Sequence, residues 1–563
     1  MATTTIIDRP SRVEGKGKRK AHLPKGRQVQ AADLEAVASI LGDLPRRKDL
    51  LIEALHRIQD DQGHLSAPYL AALAELLRLS QVEVYEVASF YHHFDIVKEG
   101  QTPPPARTIR VCDSLSCMLA GAEELIAQLE AEALSDVHIQ RVPCIGRCAT
   151  APIAQVGQRA VDSATPEAVW SIKDITAEVP HYQPFNAYKA SGGYSVLQSV
   201  IEETLTAESA ISMMSNAGLR GLGGAGFPAG RKWSIVKSYD GPRLMTINGD
   251  EGEPGTFKDR HWLERQPHKM LEGAQIAARV VGCEKIYIYM RDEYPAIIKL
   301  LKREIEALAT SDIETVPMEI RRGAGAYICG EESAMLESIE GKRGLPRHRP
   351  PYIAQVGLFG RPTLNHNIET LFWVPDILSK GADWFRQQGK RDHPGFRSYS
   401  VSGRVKNPGV VVAPAGSTVR ELISEYCGGM AEGHFFKAYL PGGASGGILP
   451  ASLGDIPLDF GGQLAEEGAF VGSHAVVVLS DQDNIKDAVI NLMKFFEHES
   501  CGQCTPCRAG TEKMVKLLST PGELDEATIA DLERVMRDAS ICGLGQAAPN
   551  PVAHLLRHFR DDL

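Results

Sequence analysis

The positions of the cysteines constrain this chain more than any other feature of its sequence. Eight of the eleven cysteines fall into two groups of four. The groups are Cys112, Cys117, Cys144 and Cys148, and Cys501, Cys504, Cys507 and Cys542. The basic first residues lack the apolar core of a secretion signal, so we expect a cytoplasmic protein whose thiols stay reduced. Grouped reduced thiols indicate metal or cluster ligation, whereas disulfides are disfavoured.

Each group suits an iron–sulfur cluster, and zinc is the alternative for both. Cys501-Gly-Gln-Cys504-Thr-Pro-Cys507 crowds three thiolates into one turn, and Cys542 supplies a fourth from a separate segment. That arrangement suits a cubane [4Fe–4S] cluster, although four thiolates also suit a tetrahedral zinc ion. The two pairs of the first group suit the two irons of a [2Fe–2S] cluster. The presence of two such groups in one chain favours clusters over zinc.

The remaining cysteines stand alone in the sequence. Cys283 ends an apolar stretch and Cys329 lies in a glycine-rich motif, and Cys427 has no cysteine near it. We expect Cys283 and Cys329 to be packed thiols that ligate nothing.

The length and composition indicate a protein of several domains. A chain of 563 residues exceeds one ordinary core. Its 43% hydrophobic and 23% charged residues are typical of a soluble protein. Because no apolar run approaches the roughly 18 residues that a membrane span requires, we expect no span. We also expect no nucleic-acid partner.

The spacing of apolar residues and the positions of turn-forming Gly and Pro residues predict a multidomain α/β fold. Helical spacing runs from Leu51, with Ser66 placed to cap a second helix, and Thr108–Val111 reads as a strand that delivers Cys112. The predicted segments are a basic disordered arm (1–30), a helical module (31–105), a small α/β domain (106–178), a linker (179–204), a larger α/β domain (205–395), a β-containing insert (396–482) and a helical carboxyl-terminal domain (483–563).

A glycine-rich loop and two acidic stretches are candidates for cofactor binding. The loop, Gly218–Trp233, allows a backbone to approach a phosphate or a ring closely. It differs from the standard dinucleotide fingerprint because no strand immediately precedes it, and a merely flexible loop is the alternative. The stretches Asn248–Glu253 and Gly323–Glu332 offer acceptors for flavin and ribose groups, with solvated acidic turns as the alternative.

These motifs together resemble the NADH-binding flavoprotein subunit of respiratory complex I and its soluble relatives. The resemblance covers about 205–563. It is carried by Arg220-Gly-Leu-Gly-Gly-Ala-Gly-Phe-Pro228, Asn248–Asp259, Gly325–Glu332, Pro362–Thr370, Glu499–Arg508 and Ile541-Cys-Gly-Leu-Gly-Gln546. It implies a Rossmann-like FMN- and NADH-binding domain, a small ubiquitin-like β insert and a carboxyl-terminal helical bundle with a [4Fe–4S] cluster.

Residues 31–178 resemble a second complex I subunit, the thioredoxin-like [2Fe–2S] protein. The resemblance is carried by Val84–Phe94, by the Cys112 pair and by Cys144-Ile-Gly-Arg-Cys-Ala-Thr-Ala-Pro152. The fusion of both parts is similar to the diaphorase subunit of NAD-reducing hydrogenases and to the beta subunit of NAD-linked molybdenum or tungsten formate dehydrogenases. The overall sequence, including Gly344-Leu-Pro-Arg-His348, looks most like the latter. The implied partner is therefore a catalytic iron–sulfur subunit, the molybdopterin-bearing alpha subunit of a formate dehydrogenase.

The resemblance also implies roles for particular residues. FMN contacts are expected at Gly221, Gly223, Gly224, Lys232, Asn248, Asp250, Glu251, Gly330, Asn367 and Thr370, with His366 where the family usually has Asn. NAD(H) is expected to stack on Phe227, with Glu253, Tyr327, Glu332, Arg349 and Tyr352 around it, and Glu331 belongs to the same cofactor-binding set. The eight grouped cysteines are the expected cluster ligands.

The implied function is that of a diaphorase subunit. It exchanges hydride between NAD(H) and FMN and relays single electrons through [4Fe–4S] and [2Fe–2S] clusters to or from its partner. No catalytic side chain is expected, because hydride passes directly between the cofactors. The alternatives are the diaphorase subunit of an NAD-reducing hydrogenase, a non-catalytic iron–sulfur relay or scaffold, and a zinc-bearing interaction module.

Overall fold

The amino-terminal part of the described chain is a helical module. The computed structural model describes residues 26–132 and 136–563, so the predicted basic arm lies almost wholly outside the described residues. The module contains the helices Ala31–Leu41, Leu51–Gln62, Ala67–Leu77 and Gln81–Ala88, and the paired short strands Leu65–Ser66 and Ile96–Val97. The Ser66 hydroxyl accepts a hydrogen bond from the Tyr69 N–H, which confirms the predicted cap.

The small α/β domain carries the first cysteine group. Its sheet has the strand order Val137–Val142, Arg107–Cys112, Ala154–Val156, Arg159–Val161; the first pair is parallel and the other pairs are antiparallel. The helices Leu115–Leu119, Ala122–Glu132 and Pro166–Ser171 accompany it. The predicted strand before Cys112 is confirmed, since Cys112 is the last residue of Arg107–Cys112.

The segment 179–204, predicted as a linker, contains two short helices, Phe185–Ala190 and Ser195–Ile201. Its tyrosines are buried against the larger α/β domain and donate hydrogen bonds to polar groups there. Tyr188 Oη lies 2.6 Å from Glu272 Oε2, and Tyr194 Oη lies 2.6 Å from a ring nitrogen of His268. The Pro, Gly and Tyr composition suggested a linker, but these buried polar contacts fix the segment to its neighbour.

The larger α/β domain is built on a wholly parallel four-stranded sheet. Its strand order is Thr363–Asn367, Arg243–Gly249, Cys283–Met290, Met318–Arg322. The helices are Ala207–Ala217, Ala229–Ser238, Lys258–Leu263, Pro267–Val281, Pro295–Ala309, Glu332–Ile339, Ile368–Phe372, Val374–Lys380 and Ala382–Arg386. The central strands Arg243–Gly249 and Cys283–Met290 are mostly buried, as in Rossmann-like folds, and the carboxyl ends of all four strands share one edge where ligands bind.

The β insert and the carboxyl-terminal helices complete the chain. The insert has the strand order Gly409–Pro414, Phe396–Gly403, Ala475–Ser480, Phe436–Leu440, Leu449–Pro450, with helices at Val419–Glu421 and Gly462–Glu466. The end of the chain forms the helices Ile485–His498, Thr505–Ser519, Glu526–Ala539, Gly543–Ala547 and Asn550–His558. Among the described residues, the helices are too short or too polar to cross a bilayer. The predicted multidomain α/β class is thereby confirmed.

One hydrophobic core joins the helical module to the carboxyl-terminal helices. It contains Leu55 and Leu73 of the helical module, Ile328 of the larger domain, and Leu492 and Phe496 of the first carboxyl-terminal helix. The module and the carboxyl-terminal domain therefore pack on each other beside the carboxyl edge of the parallel sheet. The second cysteine group borders this core, whereas the first lies in a separate buried cluster with Phe257 of the larger domain.

Candidate functional site

A cavity of about 300 Å³ lies at the carboxyl edge of the parallel sheet. That volume is at the lower end of the range for cofactor and ligand sites. The described residues that line it are Gly223, Gly224, Ala225, Asn248, Asp250, Glu251, Gly252, Glu253, Thr256, Lys258, Asp259, Tyr327, Ile328, Gly330, Glu331, Asn367, Ser445, Phe470, Gly472, Ser473, Gly543 and Leu544. The lining thus draws on the larger α/β domain, the β insert and the carboxyl-terminal domain.

The glycine-rich loop forms one wall of the cavity and is held by hydrogen bonds that its backbone N–H groups donate. The Gly221 N–H donates to the Phe227 carbonyl over 2.8 Å, and the Leu222 N–H donates to Thr370 Oγ1 over 2.9 Å. A Cβ atom at Gly223 would lie 3.0 Å from Asn367 Cβ, and Gly224 has a φ of +122°. These two positions need glycine because of crowding and conformation. The loop is therefore a fixed wall of the cavity and not a flexible connection.

The floor of the cavity carries Asp250, one of whose carboxyl oxygens has no hydrogen-bond partner among the described residues. Asn248 Nδ2 donates to the Gly330 carbonyl over 2.8 Å, and Asn248 Oδ1 accepts from the Asp250 N–H over 3.0 Å. Asp250 Oδ2 is buried and has no hydrogen-bond partner among the described residues. Burial raises the pKa of Asp250 well above its usual value. A buried unpaired acceptor is costly, so this oxygen fits a ligand that brings its own N–H or O–H donor.

Glu253 joins the cavity to the β insert. Its carboxylate accepts hydrogen bonds from Ser445 N–H over 2.8 Å, from Ser445 Oγ over 2.6 Å and from the Tyr327 hydroxyl. Tyr327 N–H in turn donates to Glu499 Oε2 over 2.9 Å. These bonds hold the rim of the cavity in one arrangement.

A network of charged side chains borders the cavity beside Asn367, the last residue of the strand Thr363–Asn367. Asn367 Nδ2 donates to Asp259 Oδ2 over 2.6 Å, and Lys258 Nζ lies 2.8 Å from Asp259 Oδ1 and 3.1 Å from Glu369 Oε2. Lys258 is 1% exposed, and the neighbouring carboxylates raise its pKa despite the cost of burial. Glu251 accepts from the N–H groups of Asp259 and Arg260, and burial raises its pKa to about 7.

The structure brings ten of the predicted cofactor residues into the cavity wall: Gly223, Gly224, Asn248, Asp250, Glu251, Glu253, Tyr327, Gly330, Glu331 and Asn367. Gly221 and Thr370 do not line the cavity; they take part in the hydrogen bonds that hold the glycine-rich loop. Phe227 and Tyr352 are 38% and 58% exposed. Arg349 pairs with Glu331 and lies 3.2 Å from Glu332, outside the lining.

His366 and Lys232 contact other parts of the chain. His366 is 3% exposed, and its Nε2 lies 2.7 Å from Trp233 Nε1, which donates to it. Because side chains alternate along a strand, His366 and the cavity-lining Asn367 lie on opposite faces. Lys232 Nζ donates to the Asn365 carbonyl over 3.1 Å, and burial lowers its pKa.

Several lining residues were missed by the sequence analysis. Ser445, Phe470, Gly472 and Ser473 come from the insert, and Gly543 and Leu544 from beside Cys542. The glycine cluster Pro441-Gly-Gly-Ala-Ser-Gly-Gly447 was a visible signal for a close backbone approach in the insert.

The first cysteine group is gathered and buried. Cys112, Cys117 and Cys144 are each 1% exposed and Cys148 is 5% exposed; Cys144 Sγ lies 3.3 Å from Cys148 Sγ. Phe257 of the larger domain belongs to the same buried cluster. Four converging thiols in an apolar shell fit a [2Fe–2S] cluster.

The second cysteine group surrounds a small space of its own. Cys501, Cys504, Cys507 and Cys542 line it together with Ile328 and Leu544. Ile328 and Leu544 also line the large cavity. Cys507 lies in the first turn of Thr505–Ser519, and Cys542 precedes Gly543–Ala547. The four thiols fit a [4Fe–4S] cluster directly beside the cavity.

Arg291 connects the first cysteine group to the cavity. Its Nη2 donates to the Cys144 carbonyl over 2.7 Å, its Nη1 donates to the Glu251 carbonyl, and Glu293 pairs with it at 2.9 Å. Arg260 Nε adds a bond of 2.8 Å to the Gly146 carbonyl. The loop that carries Cys144 is therefore hydrogen-bonded to the acidic stretch of the cavity.

Family models match four parts of the chain. The Nuo51 FMN-binding domain matches 214–376 and the thioredoxin-like [2Fe–2S] ferredoxin matches 37–176. The SLBB domain matches 398–449, and the NADH-ubiquinone oxidoreductase-F iron-sulfur binding region matches 487–563. These matches fall on the larger domain, the amino-terminal parts, the insert and the carboxyl-terminal helices.

Relatives and a solved structure agree with these matches. An NADH-quinone oxidoreductase F-subunit of Rhizobium meliloti is 40% identical over 398 residues, which are 68% of this chain and 94% of that protein. The F-subunit of the Aquifex aeolicus enzyme is 39% identical over 404 residues, 69% of this chain and 92% of that protein. The crystal structure of NAD+-reducing [NiFe]-hydrogenase in the H2-reduced state superposes with a TM-score of 0.79 at 33% identity, over 92% of each chain.

The predicted family and cofactor set are confirmed by these comparisons. The set comprises FMN, NAD(H), a [2Fe–2S] and a [4Fe–4S] cluster, and the cavity and both cysteine groups fit it. A link to formate dehydrogenase does not follow from them. With 40% identity over nearly the whole length of a family member, this chain belongs to the F-subunit family of NADH-quinone oxidoreductases and carries a thioredoxin-like [2Fe–2S] ferredoxin ahead of that part.

Proposed function

We propose that this chain is the diaphorase subunit of a formate dehydrogenase. In that role it exchanges hydride between NAD(H) and FMN and passes single electrons to or from a partner catalytic subunit. The coarser assignment, an NADH-oxidising flavoprotein subunit with iron–sulfur clusters, follows from the family. The observation that carries the diaphorase role is the cavity itself, which is walled by the flavin-domain loops and by Leu544 beside Cys542.

The residues of the cavity supply binding and alignment. FMN and the nicotinamide supply the hydride chemistry, and the clusters supply one-electron chemistry. Asp250 offers a buried acceptor to the flavin, Gly223 and Gly224 allow close approach, and Glu253 with Tyr327 stiffens the rim. Alignment of this kind can contribute about 7–11 kcal/mol for well-placed reactants.

The neighbourhood of the cavity supports electron exit toward the second cysteine group. Ile328 and Leu544 line both spaces, so their side chains separate the two sites by a single apolar layer. The first cysteine group lies behind Arg291 and Glu251, on another side of the cavity.

A formate dehydrogenase partner is favoured by the overall sequence, including the stretch Gly344–His348. The fusion of both cluster-bearing parts in one chain fits either a formate dehydrogenase or a hydrogenase partner. The competing candidate is the diaphorase subunit of an NAD-reducing hydrogenase, which the similarity over 92% of a chain from such an enzyme favours.

Purification of the native complex separates the two partners. We expect a co-purifying subunit that contains molybdenum or tungsten and reduces NAD+ with formate. A nickel-containing partner that reduces NAD+ with hydrogen would contradict the formate dehydrogenase proposal and leave the diaphorase role intact.

The isolated chain tests the diaphorase role separately. We expect it to oxidise NADH with an artificial acceptor and to be inactive toward formate. A chain that contains both clusters but neither binds FMN nor oxidises NADH would instead be a relay or scaffold. Visible absorption at about 400–450 nm, which iron–sulfur clusters and flavin show and zinc does not, excludes or supports the zinc-bearing module.

A further inference from the structure

A group of metal-ligating side chains lies outside the cofactor sites. His92, His498 and Glu499 each offer one ligand atom, and these atoms lie within 4.8 Å of one another. His498 Nδ1 lies 3.2 Å and His92 Nδ1 lies 3.9 Å from Glu499 Oε1, and the two imidazole centroids are 4.3 Å apart. Ligands bound at about 2.0–2.1 Å around a tetrahedral ion are about 3.3 Å apart, so small movements would close the site.

The residues around this group already hold it in position. The turn that carries His92 is docked by two backbone hydrogen bonds, from His92 N–H to the Gly325 carbonyl and from His93 N–H to the Ala324 carbonyl. Glu499 Oε2 is fixed by the Tyr327 N–H over 2.9 Å, which leaves Oε1 turned toward the histidines. An outer hydrogen bond that orients a ligating carboxylate is a regular feature of metal sites.

The group is also accessible from solvent. The side chains of His92 and His498 are 43% and 48% exposed, whereas that of Glu499 is 6% exposed. An ion could therefore enter, lose part of its water shell to a buried carboxylate and keep one open position. Two imidazoles and one carboxylate with an open position suit zinc and similar divalent transition ions, and not the oxygen-seeking Mg²⁺ or Ca²⁺.

We propose that His92, His498 and Glu499 form a binding site for a divalent transition-metal ion of the zinc type. The ion links the turn between Ala88 and Ile96 of the helical module to the end of the helix Ile485–His498, three residues before Cys501. It thus fastens the amino-terminal module to the carboxyl-terminal cluster domain, which are far apart in the sequence. The ion is separate from the two clusters and is not needed for hydride transfer.

Zinc binding to the cluster-loaded full chain tests the site. The chain is treated with a mild chelator, its iron and FMN contents are measured, and it is then dialysed against micromolar Zn²⁺. We expect one zinc per FMN in the wild type and loss of that zinc in His92→Ala and in His498→Gln. His181→Ala, which removes an exposed histidine elsewhere, should keep it.

A thermal measurement and a diffraction measurement complete the test. Saturating Zn²⁺ should raise the melting temperature of the wild type and of His181→Ala, and not that of the two site variants, because a ligand stabilises only the state that binds it. Equal iron and FMN contents in all variants show that they fold. Equal zinc binding in all variants, no zinc in the wild type, or an anomalous zinc peak away from these three side chains would overturn the proposal.

Discussion

At the scale of single residues, the cavity depends on buried carboxylates whose partners come from distant segments. Asp250 differs from the others because its Oδ2 has no partner among the described residues. We predict that Asp250→Leu weakens FMN binding about 2- to 10-fold, since a single hydrogen bond contributes about 0.5–1.5 kcal/mol. Asp250→Asn keeps an acceptor of the same shape and should lose less.

Reconstitution of the flavin-free chain with FMN, followed by flavin fluorescence, measures this effect. Asp312→Asn is the matched control, because its side chain is 77% exposed and does not line the cavity. Unchanged FMN affinity in Asp250→Leu would remove Asp250 from the flavin site.

Arg291 is the second residue on which the site depends. It is 4% exposed, and replacing it by Met would leave Glu293 and the carbonyls of Cys144 and Glu251 without their donor. Removing one partner of such a buried pair costs about 3–5 kcal/mol. We predict a clear fall in the melting temperature of the cluster-loaded chain for Arg291→Met. Arg534→Met, which breaks an exposed pair with Asp531, should cause no measurable change.

The sequence predicted the part of the site that lies in contiguous motifs. Asn248–Glu253 and the glycine loop were found because their residues are neighbours along the chain. Ser445 and Phe470 were missed because only the packing of the insert brings them to the cavity. His366 was expected at the flavin from the resemblance, but strand alternation turns it to Trp233.

At the scale of elements, we predict that the stability of the helical module depends on pH. His56 Nε2 lies 2.8 Å from the Gly323 carbonyl, and burial lowers the pKa of His56 from 6.5 to about 4. His56 therefore binds a proton more readily in the unfolded module than in the folded one. The free energy of unfolding is highest above about pH 6.5 and falls as the pH drops toward 4. Lowering the pH from about 7.5 to about 5.5 should reduce the free energy of unfolding by about 1 kcal/mol.

The variant His56→Gln keeps a donor near the Gly323 carbonyl and cannot titrate. Its melting temperature should therefore fall less than that of the wild type over this pH interval. His64→Gln, at an exposed hydrogen bond to the Gln62 carbonyl, serves as control and should behave as the wild type does. Equal pH dependence in His56→Gln and the wild type would contradict the explanation.

The two cysteine-bearing elements should respond differently to loss of a ligand. Cys542 precedes the helix Gly543–Ala547 and Cys507 lies in the helix Thr505–Ser519, so ligation ties two helix starts together and contributes to folding. Cys542→Ala should destabilise the carboxyl-terminal domain and block electron exit from the flavin. Cys148→Ala should lose the [2Fe–2S] signal alone and keep NADH-dependent flavin reduction. Low-temperature electron paramagnetic resonance measures the cluster signals of the two variants, and stopped-flow absorption measures their flavin reduction. Loss of the same signal in both variants would contradict two separate clusters.

Most elements could be predicted because their apolar periodicity is regular, as in Ile485–His498 and Glu526–Ala539. The helices within 179–204 could not. Their stability comes from tyrosines that reach Glu272 and His268, residues far along the chain, whereas their local composition favours turns.

At the scale of the whole molecule, the cofactor sites lie where separately recognisable parts meet. The cavity needs the larger domain, the insert and the carboxyl-terminal helices, and the first cysteine group shares a buried cluster with Phe257 of the larger domain. The sequence predicted these parts and their order, because each carries its own motif. It could not predict the contacts among them, such as Arg291 to Cys144, since no local pattern encodes a contact across domains.

We propose that this one chain takes hydride from NADH and distributes the electrons within itself. Anaerobic addition of NADH to the isolated cluster-loaded chain, followed by flavin absorption and low-temperature electron paramagnetic resonance, tests it most directly. We predict bleaching of the flavin together with two distinct reduced-cluster signals, and no change when formate replaces NADH. A flavin that stays oxidised in the presence of NADH, with both clusters loaded, would contradict the account.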